Sequence, residues 1–152
     1  MPTDVGVTHV ALAVSDLDAA IAFYERYAAM RVVHRRGAPG AGRVAWVGDL
    51  TRAFVLVLIE ADRVDHPLAG DLSHIGRAVA SRDEVDALCA EARAEGRAVT
   101  GPHDDGPPVG YWAIIADPDG HNLEVAAGQE VGDLVRSEEH TSELQSRFGI
   151  SY

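Results

Sequence analysis

The chain uses one pattern twice, and nothing else in it limits the possible folds so tightly. Setting residue n against residue n+65 aligns THVALAVSD (8–16) with SHIGRAVAS (73–81), so that His9 falls on His74 and Val14 on Val79. One step further along, MRVV (30–33) falls on GRAV (96–99) and Trp46 on Trp112. A repeated supersecondary unit has to bury its apolar side against its neighbour, so the repeat dictates architecture before local propensity does.

Each half reads as a strand (about 5–14 and 72–80), a helix (about 16–28 and 82–95) and three more strands (about 31–36, 43–48 and 53–60, then 97–100, 110–116 and 121–127). Leu17, Ile21 and Tyr24 recur at helical spacing, as do Val85, Leu88, Cys89 and Ala92. Ser81 with Glu84 makes a capping box, Ser15 or Asp16 caps the first helix, and Gly96 stands where a helix-ending glycine belongs. GAPGAG, GPHDDGPPVG and the turn Asp117-Pro118-Asp119-Gly120 separate strands. The expected fold class is α+β, two tandem βαβββ modules.

Side chains alternate across a strand, so parity sorts them. In the first strand Thr8, Val10, Leu12 and Val14 share the face that packs under a helix, leaving His9 with Val7, Ala11 and Ala13 on the other. His74 likewise shares a face with Leu72, Gly76 and Ala78. Glu124 interrupts an apolar strand on the face opposite Leu123 and Val125, and a charge is rarely placed there without a partner. Two imidazoles and a carboxylate make up the facial triad that holds a divalent ion and leaves positions open for substrate; Fe, Mn, Zn, Ni and Co all accept such donors. Because His9 and His74 occupy one position in both repeats, a shared ion is favoured over two separate core histidines and a solvated glutamate.

At 152 residues the chain suits one domain. A net charge of -11 argues against nucleic acid, since phosphate binding wants a basic stripe, and the one basic cluster, VVHRRG (32–37), reads as a solvated strand end. No apolar run approaches the roughly 20 residues of a membrane span, and no basic segment precedes the apolar N-terminal stretch, so neither a membrane nor a secretory role is expected. Cys89, the single cysteine, excludes an intrachain disulfide, fits a reducing cytoplasm and reads as a buried structural thiol. Residues 136–152, RSEEHTSELQSRFGISY, resemble a translated sequencing adapter: Arg136 to Ser146 follow the adapter without mismatch, and Ile150 to Tyr152 match its next constant stretch. The expected domain is therefore 1–135, with modules at about 4–62 and 71–130, and the tail, His140 included, is assigned no function.

The repeat together with THVALAVSDLDAAIAFY, LSHIGRAV and DPDGHNLEV resembles the vicinal oxygen chelate superfamily over about residues 4 to 130. That group includes glyoxalase I, extradiol dioxygenases, methylmalonyl-CoA epimerase, fosfomycin-resistance enzymes and bleomycin-binding proteins. The resemblance implies an open eight-stranded mixed barrel around a divalent metal, often within a homodimer, with His9, His74 and Glu124 at the ligand positions. It further implies a metal-dependent enzyme whose small substrate chelates the ion through adjacent oxygens, dioxygenase-like or lyase/isomerase. The alternative is a metal-free small-molecule binder of the bleomycin-resistance type, which uses the barrel as an apolar cleft.

The family patterns narrow the chemistry. Isomerases of the group take a further oxygen ligand from the last strand of the first module, where the repeat offset gives Leu58 and counting back from His74 gives Leu56. Glu60 has the same parity but reads as a solvated strand-end carboxylate. The tyrosine of ring-cleaving and fosfomycin enzymes corresponds to Ile114, and the threonine of the latter to Ala11. The remaining groups able to move protons or bind an anion are His103, Tyr111 and Arg77, with His103 and Tyr111 the catalytic candidates. Against these stand blander readings: His103 as a loop residue, Arg77 as the outward member of its strand, Tyr111 as packing. Trp46 and Trp112 are expected to line the barrel, and His121, after a turn glycine, to face solvent.

Overall fold

A computed structural model of the chain describes residues 4–70 and 72–137; the adapter-like stretch from 138 onward, His140 included, lies outside the described residues. The first module comprises β1 (His9–Val14), α1 (Leu17–Tyr27), β2 (Arg31–Arg36), β3 (Val44–Gly48) and β4 (Val55–Glu60). The second comprises β5 (Ile75–Val79), α2 (Arg82–Ala94), β6 (Val99–Asp104), β7 (Tyr111–Ala116) and β8 (Asn122–Ala127), followed by a short α3 (Val131–Val135). Each module folds into one four-stranded mixed sheet, ordered β1-β4-β3-β2 and β5-β8-β7-β6. In each, the first and last strands pair in parallel and the others antiparallel. The two sheets are not closed onto each other, as an open barrel requires.

Local chemistry accounts for the helix ends. Asp16 accepts the Ala19 amide at 3.0 Å and Ser81 accepts that of Glu84 at 3.2 Å, each capping one helix. The chain leaves α2 through Gly96 at φ +78°, a left-handed conformation that glycine adopts without strain. Glu60 departs from its sequence reading. Rather than lying solvated, its Oε2 accepts the Leu17 amide at 3.1 Å and Arg43 Nη2 at 2.7 Å, so the last strand of the module clamps the start of its helix.

Strand parity sets the core. Leu12, Val14, Ala45, Val47, Leu56 and Leu58 point from the first sheet toward α1, while Val85, Cys89 and Ala92 of α2 meet Ala113, Ile115, Leu123 and Val125 of the second. Phe23, Tyr24 and Tyr27 of α1 join both sets into one cluster. Burying each Val, Leu, Ile or Phe of this set contributes about 1.5–3 kcal/mol. Polar contacts then fix how the modules sit. Tyr24 donates to Asp117 Oδ2 at 2.8 Å, and the Ser15 amide donates to Asp119 at 3.0 Å. Arg77 donates to the Tyr27 carbonyl at 2.6 Å, at the open end of α1. His121 is buried, contrary to the exposure expected after Gly120. Its Nδ1 accepts the Leu68 amide at 2.9 Å, so its Nε2 carries the hydrogen and donates to the Ala13 carbonyl at 2.8 Å.

Two stability outcomes follow. Tyr24→Phe removes one donor from the buried Asp117 carboxylate and is expected to cost about 1.5–3 kcal/mol in urea denaturation, with the far-ultraviolet spectrum unchanged. Glu60 is held below the ordinary carboxylate range, chiefly by the Arg43 hydrogen bonds and then by the Leu17 amide. A carboxylate with a depressed pKa adds stability that is present above its unfolded pKa and lost as pH falls through the folded value. Glu60→Gln should therefore be less stable than wild type at neutral pH, and the gap should shrink as pH falls below about 4.3, the ordinary Glu pKa.

Candidate functional site

Glu124 lies on β8, an inner strand of the second sheet, opposite Ile114 of β7 and Gly76 of β5. Its neighbours Leu123 and Val125 face the core, so Glu124 faces the side that no helix covers. Space is open above Gly76, where an added Cβ would meet nothing within 4 Å. The carboxylate is only 8% exposed, and both oxygens are engaged: Gln129 Nε2 donates to Oε1 at 2.7 Å, and His74 Nε2 lies 3.2 Å from Oε2. His74 precedes β5, and its Nδ1 lies 2.7 Å from the Leu72 carbonyl. A carbonyl only accepts, so Nδ1 carries the hydrogen. With Nδ1 engaged, Nε2 is the ring nitrogen turned to the carboxylate, an arrangement that a shared cation stabilises, whether a proton on the ring or a divalent ion.

His9 occupies the matching place on β1, exposed on the uncovered face of the first sheet with Ala11 and Ala13 beside it. Its Nδ1 is 3.0 Å from the Thr8 hydroxyl. Among the described residues, no group of three or more His, Cys, Asp or Glu side chains within one chain is placed to hold a metal ion. The structure thus brings His74 and Glu124 together and leaves His9 on the other sheet.

The remaining candidates separate by face. Tyr111 pairs with Ala127 on the side opposite Glu124, where its hydroxyl donates to Asp86 Oδ1 at 2.5 Å and Arg82 lies 4.8 Å above its ring. The Asp86 bond, with burial, pushes the Tyr111 phenol above its usual pKa. Tyr111 also lines a cleft of about 370 Å³ with Arg82, Asp104 and Ala127 beside the start of α2, away from Glu124. Arg77 shares the helix-facing side, which its bonds to Tyr27 and Glu84 explain. Leu56 and Leu58 are buried toward α1; the residues of β4 on the His9 face are Val55, Val57 and Ile59. No carboxylate of β4 therefore reaches that face, where valines and an isoleucine stand instead of the expected Leu56 and Leu58.

His103 sits on β6 itself and not in a loop. A register shift between Thr100 and His103 brings it opposite Trp112, with ring centroids 5.0 Å apart. The first module repeats the arrangement: a shift between Val32 and His34 sets His34 opposite Trp46, again at 5.0 Å. Both pairs lie on the uncovered faces, because Trp112 is level with Ala126, two residues from Glu124, and Trp46 is level with Val57 and Ala11. β-Bulges commonly re-aim a side chain beside a functional site. His34 was hidden within the basic cluster, and Gln129 gave no signal at all.

Two βαβββ sheets, each covered by one helix and bare on the side that carries histidines, define the class: a paired-module α+β protein. A family model described as the Glyoxalase/Bleomycin resistance protein/Dioxygenase superfamily matches residues 6–125, and the chain belongs to that superfamily, the vicinal oxygen chelate group. It is 41% identical over 129 residues to the uncharacterized protein PA2024 of Pseudomonas aeruginosa, covering 83% of this chain and 91% of the relative. Among solved structures it is similar to FosX, a genomically encoded fosfomycin resistance protein from Listeria monocytogenes. That match has a TM-score of 0.66 and 21% identity, over 84% of this chain and 96% of FosX. It is also similar to TnmS3, an antibiotic binding protein from Streptomyces sp. CB03234, with a TM-score of 0.56 and 26% identity over 84% and 98% of the two chains.

The Gln129 bond has a measurable consequence. Gln129→Leu strips a donor from a nearly buried carboxylate and should cost about 1–3 kcal/mol in chemical denaturation.

Proposed function

We propose that the protein is a divalent-metal-dependent enzyme acting on a small molecule with two adjacent oxygens. The ion is held by His74 and Glu124 of one chain and His9 of the partner subunit, in a homodimer. The observation that carries this reading is the approach of His74 Nε2 to Glu124 Oε2 at 3.2 Å, two donor groups able to share one ion. The donor set fits: Leu72 fixes the histidine tautomer, Gln129 holds the other carboxylate oxygen, and such outer contacts orient metal ligands. FosX, which shares the fold, has been crystallised with Mn(II) and sulfate ion. The dimer is supported by the isolation of His9 from His74 and Glu124 within one chain, and by Ile59, 41% exposed on the bare face of the first sheet.

A bound divalent ion supplies Lewis-acid stabilisation of negative charge developing on a substrate oxygen. The chain's residues do the rest. His103 projects from two strands beyond β8, roughly 10 Å across the sheet, and accepts or donates a proton at a ring nitrogen. Trp112, its indole held by Asp105 at 2.8 Å, packs against the His103 ring and sets its orientation. The valines of β4 leave the ion without an extra carboxylate ligand, so an enolate-forming isomerisation with a ligand as base is disfavoured against an oxygenase or lyase reaction. Tyr111 takes no part.

Elemental analysis after mild purification should find near-stoichiometric divalent metal, lost in His74→Ala and in His9→Ala. Co-expressing these two variants should recover metal in mixed dimers, because one of the two sites then keeps every ligand. Mixed dimers without metal would place the site within one chain. Metal-free wild type that still binds small aromatic ligands would make it a sequestering protein, the reading that similarity to TnmS3 supports.

A further inference from the structure

We infer that the first sheet carries a subsite for an aromatic anion, in which Trp46 stacks on the ring and Arg36 with His34 pairs the negative group. The inference extends the proposed site along the first sheet, and it rests on that reading to the extent that this bare face lines the ligand cavity.

The two modules provide an internal comparison. After its register shift each edge strand carries a histidine opposite a tryptophan, then two charged residues: His34-Arg35-Arg36 in β2 and His103-Asp104-Asp105 at the end of β6. The charges are reversed, and so is their state. Asp104 takes Arg82 at 2.6 Å, and Asp105 takes the Trp112 indole at 2.8 Å. Among the described residues neither Arg35 nor Arg36 has a hydrogen-bond or ion-pair partner. Every other described arginine meets a carboxylate, hydroxyl or carbonyl oxygen. In a chain of net charge -11 these two adjacent cations stand out as unneutralised.

Register decides which of them faces the cavity. His34 is level with Trp46 and Arg36 with Val44, two residues apart, so His34, Trp46 and Arg36 share one face; Arg35, level with Ala45, points the other way. The same face carries Val57 and Ala11 in the row of Trp46, and His9 one pair along. Arg36 stands three strands across and four residues along from His9, roughly 19 Å away, but only one strand and two residues from Trp46, roughly 8 Å. A single-ring molecule can therefore lay its ring along the Trp46 indole, which its contact with His34 leaves 41% exposed, and turn its anionic group to Arg36. A guanidinium beside an aromatic surface suits a carboxylate or phenolate on that ring. A second copy of the chain is the weaker occupant, because the acidic counterparts of these arginines are already paired.

The test is calorimetric titration of the dimer with three probes: 2-hydroxybenzoate, its neutral amide, and the ring-less acid lactate. The expected result is binding of 2-hydroxybenzoate at least tenfold tighter than either analogue. Arg36→Gln should lower its affinity about tenfold, to the level of the amide, and Trp46→Leu should abolish it, with folding checked by circular dichroism. Equal affinities for the three probes would overturn the subsite, as would an Arg36→Gln protein that binds 2-hydroxybenzoate unchanged. Dissociation of the dimer by Arg36→Gln would also overturn it and assign the arginine to the interface. The metal content of the protein as purified, read beside the titration, separates the two ideas. Arginine-dependent binding by a wild type that purifies without metal keeps the subsite and defeats the enzyme; stoichiometric metal without probe discrimination does the reverse.

Discussion

One buried carboxylate organises the relation between the two halves. Asp117 accepts the amides of Asp119 and His121 through one oxygen and the Tyr24 hydroxyl through the other, so the turn that opens β8 is tied to a helix of the opposite module. His121, three residues before Glu124, extends the tie to the Ala13 carbonyl. Buried polar groups of this kind are costly unless fully bonded, so the arrangement tolerates only one docking of the modules. That docking turns both helices inward, onto a common core, and both bare sheet faces outward.

The outward faces explain why this chain is a family of sites waiting for an opposing wall. Glu124 is held by Gln129 and His74 within its own module, whereas His9 stands on the other sheet with small neighbours. The same geometry spreads two histidine–tryptophan pairs over the two faces and leaves the Arg36 cation beside one of them. Superfamily membership fits such a division of labour: the scaffold supplies rigid strands, and reaction and substrate follow from the few side chains that interrupt an otherwise aliphatic surface.

Much of this was legible beforehand for a definite reason. A period of two on strands and a helical spacing between them survive in any context that keeps one face buried, so the modules, both caps and the strand faces of His9 and Glu124 were readable. Errors arose where a residue's role depended on a remote partner. Glu60 and His121 looked solvated because Leu17, Arg43, Leu68 and Ala13 are distant or unremarkable in sequence. Tyr111 looked available for chemistry, yet parity relative to Glu124 turns it to Asp86. His103 looked like loop because Pro102 and the following acids resemble a turn, while an edge strand accommodates proline at a register shift.

The sequence by itself determined the two βαβββ units, the strand face that His9 occupies and the carboxylate on the last strand of the second unit, because these depend on alternation and local capping alone. Only the tertiary structure decided that His74 and Glu124 meet while His9 faces elsewhere, and that Arg36 stays unpaired as its acidic counterparts are neutralised. Those outcomes depend on how two sheets dock through Tyr24, Asp117 and His121, and docking is a property of contacts between residues too far apart in the chain for any periodicity to record.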